Sequence, residues 1–448
     1  MPGASRRPSQ GLRNMELLLL VFAVGISFGA MLLVQLGVRG EFDWNVVRMA
    51  SVILGLTLLI HIVLRFRAPQ ADPLILPVAV TLNGLGITMI YRLDLADTEL
   101  EGFWTPSTSQ MILTGMGILS ACVVLLLLRN HRVLQRYTYV CMIVAIGLLL
   151  LPLIPGLGVR DVAARVWIRI AGFSFQPGEI AKIALAIFFA GYLVTARETL
   201  SVVGRTFLGI RFPRLRDLGP VLIVWTVCMG ILVLQRDIGT SSLYYGLFIV
   251  MMFVATGRIS WIVIGGGLAV GGVVILASTW GYVQGRVSGW LDAFDPEVYN
   301  GEGGSYQLVQ GIFGMADGGL IGQGLGQGRP DITPLASSDF IVAALGEELG
   351  LSGVFCILLL YLLLVARGFR IGHEGLDDFG RLLATGLTFV IAMQVFIVVG
   401  GVTRVIPLTG LTTPFLASGG SSLLANWVIV AILLRLSDTV QRSPEVRR

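Results

Sequence analysis

The carboxylates that lie within or beside long apolar segments have the clearest chemical potential in this chain. Asp339 follows two serines and opens the apolar run FIVAALGEELGLSGVFCILLLYLLL, so it lies at the N-terminus of a predicted helix. The helix dipole favours the ionised form of a carboxylate there. The position therefore suits a general base, with an ordinary helix cap as the alternative interpretation, since Asp is a preferred N-cap residue.

Other ionisable groups also fall in apolar surroundings, where such groups are costly and are functional candidates. Glu347 and Glu348 lie about 12–14 Å further along the same predicted helix, too far to share a proton with the aspartate directly but able to line one polar cavity. Glu179 and Lys182, the only Lys of the chain, are three residues apart and share a helix face, as a structural ion pair or as part of a site. Asp237, in QRDIGTS, is either a helix cap or a functional acid.

The composition excludes a water-soluble globular protein. The 448 residues are 55% hydrophobic and only 13% charged, with mean hydropathy +0.83, whereas soluble domains are roughly 25% charged. The net charge of +5 does not indicate nucleic-acid binding, because no basic run accompanies it. The four Cys lie in apolar runs, so we predict no disulfide.

The apolar runs predict an all-α, polytopic integral membrane helix bundle. A membrane-spanning helix needs about 20 mostly apolar residues, and twelve runs meet that length approximately. The predicted spans are 16–36, 49–64, 74–91, 109–128, 135–156, 177–195, 218–234, 239–256, 260–279, 340–366, 382–402 and 413–434.

The distribution of Arg predicts that both termini are cytoplasmic. With the N-terminus inside, 21 of the 31 Arg fall on inner loops or tails, as the positive-inside rule requires. Seven others lie on predicted outer loops or at outer helix ends, and they form either an anion receptor or a set of interfacial side chains. These outer Arg are Arg160, Arg165, Arg169, Arg236, Arg286, Arg329 and Arg404.

One long extracytoplasmic loop is predicted at 280–338. Eleven of the 28 residues in 301–328 are Gly, a density that argues against one regular helix. Loops this long are usually functional or disordered. The apolar residues in SYQLVQGIFGMADGGLIGQGLG favour an ordered loop that packs on the helices.

Several of these segments resemble the SEDS family (shape, elongation, division and sporulation), the RodA/FtsW-type peptidoglycan polymerases. The matching stretches occur in family order and span roughly residues 74–435. They are VWIRIAGFSFQPGEIAKI (166–183), QRDIGTSS (235–242), FDPE (294–297), YQLVQGIFGMADGGLIGQGLGQG (306–328), SSDFIVAALGEELGLSG (337–353) and PLTGLTTPFLASGGSSLLANW (407–427).

The resemblance implies a core of about ten spans at 71–435, preceded by a segment 1–70 with two additional helices and followed by a cytoplasmic tail 436–448. It implies a multi-pass protein of the bacterial cytoplasmic membrane. The implied activity is polymerisation of lipid II into undecaprenyl-pyrophosphoryl glycan strands on the outer face, during elongation or division. The additional N-terminal helices and the short ends favour the elongation type. A class B penicillin-binding protein (a transpeptidase) and membrane lipids are the implied partners.

By the same resemblance, the essential carboxylate of the family falls on Asp339, the general base. The implied substrate-binding residues are Trp167, Glu179, Lys182 and Asp237, to which we add Arg165, Arg169, Arg286, Gln310, Glu347, Glu348 and Ser421. Family members often carry Arg immediately before the Trp, where this chain has Val166. The loop before Asp339 also lacks the Glu and His that many members carry.

No His/Cys cluster indicates a zinc site, so we predict no protein-held metal. A divalent cation at the pyrophosphate would be Mg²⁺ or Mn²⁺, which prefer oxygen ligands. Two other functions fit the sequence: a lipid II flippase, and a non-catalytic scaffold of an elongation or division complex.

Overall fold

The part of the chain that the structure describes is helical, with two short antiparallel hairpins. A computed structural model describes residues 8–97, 104–159, 164–170, 173–201, 203–207, 210–213, 215–301, 303–375 and 377–442. Its helices are α1 Pro8–Arg39, α2 Trp44–Arg67, α3 Ile75–Ala96, α4 Pro106–Leu127, α5 Arg132–Arg136, α6 Thr138–Leu150, α7 Pro177–Ser201, α8 Leu215–Gln235, α9 Ile238–Thr256, α10 Ser260–Thr279, α11 Gly281–Leu291, α12 Pro296–Asn300, α13 Tyr306–Gly318, α14 Ile341–Glu374, α15 Asp378–Val402 and α16 Gly420–Arg442.

Among the described residues, each strand pairs with its neighbour in sequence, and Ile168 also forms an isolated antiparallel bridge with Gly158. Strand β1 (Ile168–Ile170) pairs with β2 (Phe173–Phe175), and β3 (Val203–Phe207) pairs with β4 (Ile210–Pro213). Both pairs are antiparallel. The prediction of an all-α membrane protein is confirmed, with these hairpins as small additions.

Within the described residues, ten helices are long and apolar enough to cross a membrane. The two other predicted spans, 135–156 and 218–234, correspond to the shorter apolar helices Thr138–Leu153 and Leu222–Gln235. The protein is therefore a multi-pass membrane protein. The total of twelve spans and the N-in, C-in orientation stay predictions.

The chain divides into two compact units. The first consists of Met1–Arg129, Ser288–Arg367 and Gln394–Arg448, and the second of Asn130–Val287 and Gly368–Met393. In the first unit, Trp427 of α16 is fully buried, and its indole donates to Asn83 of α3. In the second unit, α7 packs on α6 and α9, with Phe189 of α7 against Phe248 of α9.

The segment 280–338 contains more helix than its Gly content predicts. Helices α11, α12 and α13 lie within it, so it is not one regular helix, but three separate helices joined by irregular backbone. Helix α13 carries Gly311, Gly314 and Gly318 on one face, at spacings of three and four residues. That face contacts the beginning of α14: a Cβ at Gly311 would lie 2.7 Å from the Phe340 ring.

Helix α14 is broken where the sequence predicts a continuous span. Gly350 has φ 69° and ψ −176° inside the helix, a backbone conformation that favours Gly. The glycine-rich loop, which we define as residues 319–328, supplies backbone partners next to the break. Gln323 and Gly324 donate to the carbonyls of Glu347 and Glu348, at 3.0 and 2.9 Å.

The last predicted span begins later than expected. Helix α16 starts at Gly420, not at 413, and residues 403–419 are not helical. Irregular backbone next to apolar helices requires internal partners, and side chains provide them: Gln394 donates to the Thr412 carbonyl at 2.9 Å, and Gln110 donates to that of Ala417 at 3.1 Å. At its other end α16 continues to Arg442, past the predicted start of the tail at 436, because Leu436 and Asp438 are buried.

Candidate functional site

Asp339 lies in a tight turn at the beginning of α14. The N–H groups of Ser338 and Phe340 both donate to the Leu335 carbonyl, and Leu335 has a positive φ of 57°. The next side chain, Phe340, is fully buried. Helix α14 begins two residues after Asp339, so the carboxylate is placed near a helix N-terminus as predicted, half-buried and held by an anchored neighbour.

The Asp339 turn is attached to the segment 403–419. The Ser418 N–H donates to the Ser337 carbonyl at 2.7 Å. A Cβ at Gly410, where φ is +76°, would lie 3.7 Å from an oxygen of the Asp339 carboxylate. Ser421 is buried in the first turn of α16, three residues after Ser418. The structure thus brings the backbone before Ser421 to the turn that carries Asp339.

A polar cavity of about 270 Å³ lies between α13, the glycine-rich loop and α14. Its lining combines amide, hydroxyl, acidic and guanidinium groups with the apolar side chains of Phe313 and Ile332, and such a mixture of apolar and polar groups is typical of small-molecule sites. The lining residues are Gln310, Phe313, Gly314, Asp317, Gln323, Gln327, Gly328, Arg329, Ile332, Thr333 and Glu347.

Glu347 and Glu348 have different surroundings, although they are adjacent. Glu347 lines the cavity and accepts a hydrogen bond from the Arg329 backbone N–H. Glu348 is only 1% exposed, and one of its oxygens accepts from Nε of Arg92 at 2.7 Å while the other accepts from the Gly326 N–H at 3.0 Å. Glu347 is therefore available to a ligand, while Glu348 holds the glycine-rich loop in place.

In the second unit, an extended segment presents Trp167 between two Arg. Burial alternates along it: Val166 and Ile168 are buried, whereas Arg165 and Arg169 are exposed and Trp167 is half-buried. Since side chains alternate between faces along an extended backbone, Arg165, Trp167 and Arg169 share one face. Both Arg, two residues before and two after the Trp, thus flank the aromatic ring.

The same segment is attached to the corner between α8 and α9. The Arg165 N–H donates to the Gln235 carbonyl at 2.9 Å, and Gln235 is two residues before Asp237. The Asp237 side chain caps α9 by accepting from the Thr240 N–H at 2.9 Å. Asp237 is therefore a helix cap, and its role in substrate binding stays a prediction. Burial raises the pKa of the Asp237 carboxyl, and the negative charge of Glu179 adds to this rise against the opposing Thr240 hydrogen bonds.

The predicted Glu179–Lys182 ion pair is present in the first turns of α7. Both side chains are buried, at 5% and 1% exposure, and Nζ of Lys182 contacts a Glu179 carboxylate oxygen. Tyr244 of α9 donates its hydroxyl hydrogen to the Gly178 carbonyl beside the pair. The pair therefore lies where α7 packs on α9, near the Asp237 cap, and it orders this end of the unit.

The other described outer Arg have different surroundings. Arg404 caps the last turn of α11, donating to the carbonyls of Trp290 and Leu291 at 2.7 and 2.6 Å. Arg286 lies over the Tyr282 ring, 5.6 Å from its centroid. Arg236 is exposed beside Asp237, and Arg160 lies outside the described residues. Arg404 thus has a structural role.

Several residues of this region were not singled out by the sequence. Arg92 carried a usable signal, because it is a charged residue at the end of a predicted span. The polar cavity residues that were missed carried no signal in the sequence, since polar residues in a predicted loop are ordinary. The residues missed in this way are Arg92, Asp317, Gln323, Gln327 and Thr333.

In the part of the chain that the structure describes, no three His, Cys, Asp or Glu side chains come together as a metal site. The carboxylates of the region are instead engaged by protein donors, as Glu348 is by Arg92 and the Gly326 N–H.

Comparison with known proteins gives a consistent result. The FtsW/RodA/SpoVE cell cycle protein family matches residues 73–442. The peptidoglycan glycosyltransferase RodA of Mycobacterium tuberculosis is 45% identical over 449 aligned residues, covering 100% of this chain and 95% of that protein. The probable peptidoglycan glycosyltransferase FtsW of Trichlorobacter lovleyi is 32% identical, covering 85% of this chain and 96% of that protein.

The fold is also similar to a solved chain from a peptidoglycan synthase complex that coordinates polymerization and crosslinking. The TM-score is 0.60 at 24% identity, and the match covers 90% of this chain and 99% of that chain. At this identity the likeness concerns the fold.

Proposed function

Since this chain belongs to the FtsW/RodA/SpoVE family of cell cycle proteins, we propose that it is a peptidoglycan glycosyltransferase that polymerises lipid II on the outer face of the cytoplasmic membrane. The observation that carries the proposal is the 45% identity to a RodA glycosyltransferase over the whole chain. The lower identity to an FtsW, 32%, favours elongation over division as its process.

The proposed reaction joins two lipid-linked saccharides. The 4-hydroxyl of the acceptor GlcNAc attacks C1 of the donor MurNAc, the C1–oxygen bond to the pyrophosphate breaks, and the undecaprenyl pyrophosphate leaves with the bonding electrons. Asp339 takes the hydroxyl proton as the new bond forms. A single displacement converts the α-linked donor into a β-linked product, so no covalent enzyme intermediate is needed.

The position of Asp339 supports its role as the general base. It is half-buried, near a helix N-terminus that favours its ionised form. The turn is fixed by the buried Phe340 and by the Ser418 hydrogen bond to Ser337. A general base must be held within hydrogen-bond reach of the proton that it takes, and this anchoring limits its movement.

We assign the polar cavity to the saccharide or peptide part of the substrate. The side-chain amides of Gln310, Gln323 and Gln327 each donate one hydrogen bond within the protein. Their side-chain carbonyl oxygens and second N–H groups remain for acetamido and hydroxyl groups of the substrate, and Phe313 offers an apolar surface. Glu347 can accept from a hydroxyl group. The volume of about 270 Å³ is near the lower limit for small-molecule sites, about 300 Å³, so the cavity takes a part of the substrate and not the whole.

We assign pyrophosphate recognition to Arg165 and Arg169, which flank Trp167, and to Arg286. A guanidinium group can donate two parallel hydrogen bonds to the oxygens of one phosphate. Exchanging Arg165 or Arg286 for Ala should raise the KM for lipid II about tenfold, equivalent to about 1.4 kcal/mol, with a smaller change in kcat. Steady-state polymerisation kinetics measure this, with Arg136→Ala as the control, an exposed residue on the predicted inner side. Equal effects at all three positions would remove the assignment.

A class B penicillin-binding protein is the proposed partner, because the solved structural neighbour belongs to a complex that combines polymerization with crosslinking. A requirement for Mg²⁺ or Mn²⁺ at the substrate pyrophosphate stays a proposal, and chelation of divalent cations tests it.

Purified protein in detergent, alone and with such a partner, should convert lipid II into glycan strands that are visible on a gel. Detergent leaves no second compartment, so this assay separates the polymerase from a flippase. If neither preparation forms polymer while the protein moves lipid II across vesicle membranes, the flippase function replaces this one.

A further inference from the structure

The first helix is attached to α3 at three levels, although it precedes the region that matches the family, residues 73–442. Near its start, Arg13 pairs with Glu16 and donates to the Ala71 carbonyl just before α3. In the middle, Ser27 faces Gly84 so closely that a Cβ there would overlap its hydroxyl. Near its end, Gln35 accepts from the Tyr91 hydroxyl. The helix is therefore fixed in height and rotation relative to α3.

The last turns of α1 lie directly against the glycine-rich loop. A Cβ at Gly37 would lie 2.6 Å from the Leu325 carbonyl oxygen and 3.1 Å from Cα of Gly326. Two backbones approach this closely only where side chains are absent. The Gln327 side-chain amide also donates to the Gly37 carbonyl, at 3.2 Å. Helix α1 thus forms one wall against which the loop rests.

The Arg92–Glu348 ion pair holds the other side of the loop. The Gly326 N–H donates to Glu348 at 3.0 Å, and Arg92 donates to the Gly328 carbonyl at 2.7 Å. Residues 325–328 are therefore clamped between α1 on one side and α3 with α14 on the other. The next residue is Arg329, which lines the cavity together with Gln327 and Gly328.

We propose that α1 is a positioning element of the substrate site. Its end at Gly37 sets where residues 325–328 lie, and thereby where Gln327 and Arg329 lie in the polar cavity. The first helix, which precedes the family region, then contributes to substrate binding through the loop, without contacting the substrate. This role rests on the proposed function of the cavity.

The test enlarges Gly37 and compares it with a matched glycine on the same helix. Gly25 is exposed, and nothing lies within 4 Å of a Cβ placed there. Gly37→Val should displace the loop and lower kcat/KM for lipid II about tenfold, mainly through KM, since a misplacement of about 1 Å can cost up to about 10²-fold. Gly25→Val should leave both constants and the Tm at parent values.

Hydrogen–deuterium exchange of the peptide 319–328 gives a readout that is independent of activity. Exchange there should be faster in Gly37→Val than in the parent or in Gly25→Val, at an equal Tm. If Gly37→Val does not fold, Gly37→Ala replaces it. The proposal would be overturned if the Gly37 variant kept the exchange rate and the KM of the parent. It would also be overturned if Gly25→Val lowered kcat/KM as much as the Gly37 variant does. If the parent forms no polymer, the proposed function fails, while the exchange experiment still tests the support of the loop by α1.

Discussion

Asp339→Asn should lower the rate of glycan strand formation from lipid II by about 10²–10⁴-fold, the usual contribution of a general base. The amide is isosteric with the carboxylate but does not take a proton at neutral pH. Because neighbouring residues fix the turn, through Phe340 and through the Ser418–Ser337 hydrogen bond, the substitution should leave the fold intact. Single-turnover polymerisation of labelled lipid II measures the loss.

The matched control is Asp331→Asn, eight residues earlier in the same segment. Asp331 is exposed and pairs with the exposed Arg329 guanidinium across 3.5 Å, and such surface pairs contribute about 1 kcal/mol or less. We expect its rate to remain close to that of the parent. Polymer from the Asp339 variant at the parental rate would refute the general-base role. A loss of Tm confined to the Asp339 variant would indicate that the carboxylate stabilises the turn.

The membrane-spanning character of the fold was predictable because it is a local property of the sequence. A run of about 20 apolar residues has one stable solution in a bilayer, a helix with all its backbone hydrogen bonds internal. The Glu179–Lys182 pair and the Asp237 cap were predictable for the same reason, since their partners lie three residues away.

The break in α14 and the polar cavity were not predictable in this way, because they depend on partners that are distant in sequence. Arg92 and Glu348 are 256 residues apart, and neither position signals the other. The segment 403–419 was predicted as partly helical from its hydropathy, yet the side chains of Gln394 and Gln110 stabilise it as irregular backbone. Hydropathy indicates that a segment is apolar enough to be buried. It does not distinguish a helix from a loop whose backbone groups find hydrogen-bond partners inside the protein.

The buried Arg92–Glu348 ion pair should contribute strongly to the stability of the first unit. Arg92→Met leaves Glu348 as a buried charge without its cationic partner, and such a loss costs about 3–5 kcal/mol. The variant should therefore show a clearly lower Tm in detergent, measured by fluorescence-detected unfolding. The Arg370–Glu374 pair has the same 2.7 Å contact, but Arg370 is 57% exposed. Arg370→Met should accordingly cost less than about 1 kcal/mol.

The double variant Arg92→Met with Glu348→Gln separates the charge from the hydrogen bonds. The introduced side-chain amide would remain an acceptor for the Gly326 N–H while no unpaired charge is buried, so the Tm should recover most of what Arg92→Met alone loses. Glu348→Gln alone completes the double-mutant cycle, in which the coupling is the cost of the double variant minus the costs of the two single variants. If the double variant is as unstable as Arg92→Met, the hydrogen bond from Arg92 to the Gly328 carbonyl holds the loop, and the charge of Glu348 is secondary. In either case, Arg92→Met should also disturb the cavity, because Gly328 lines it.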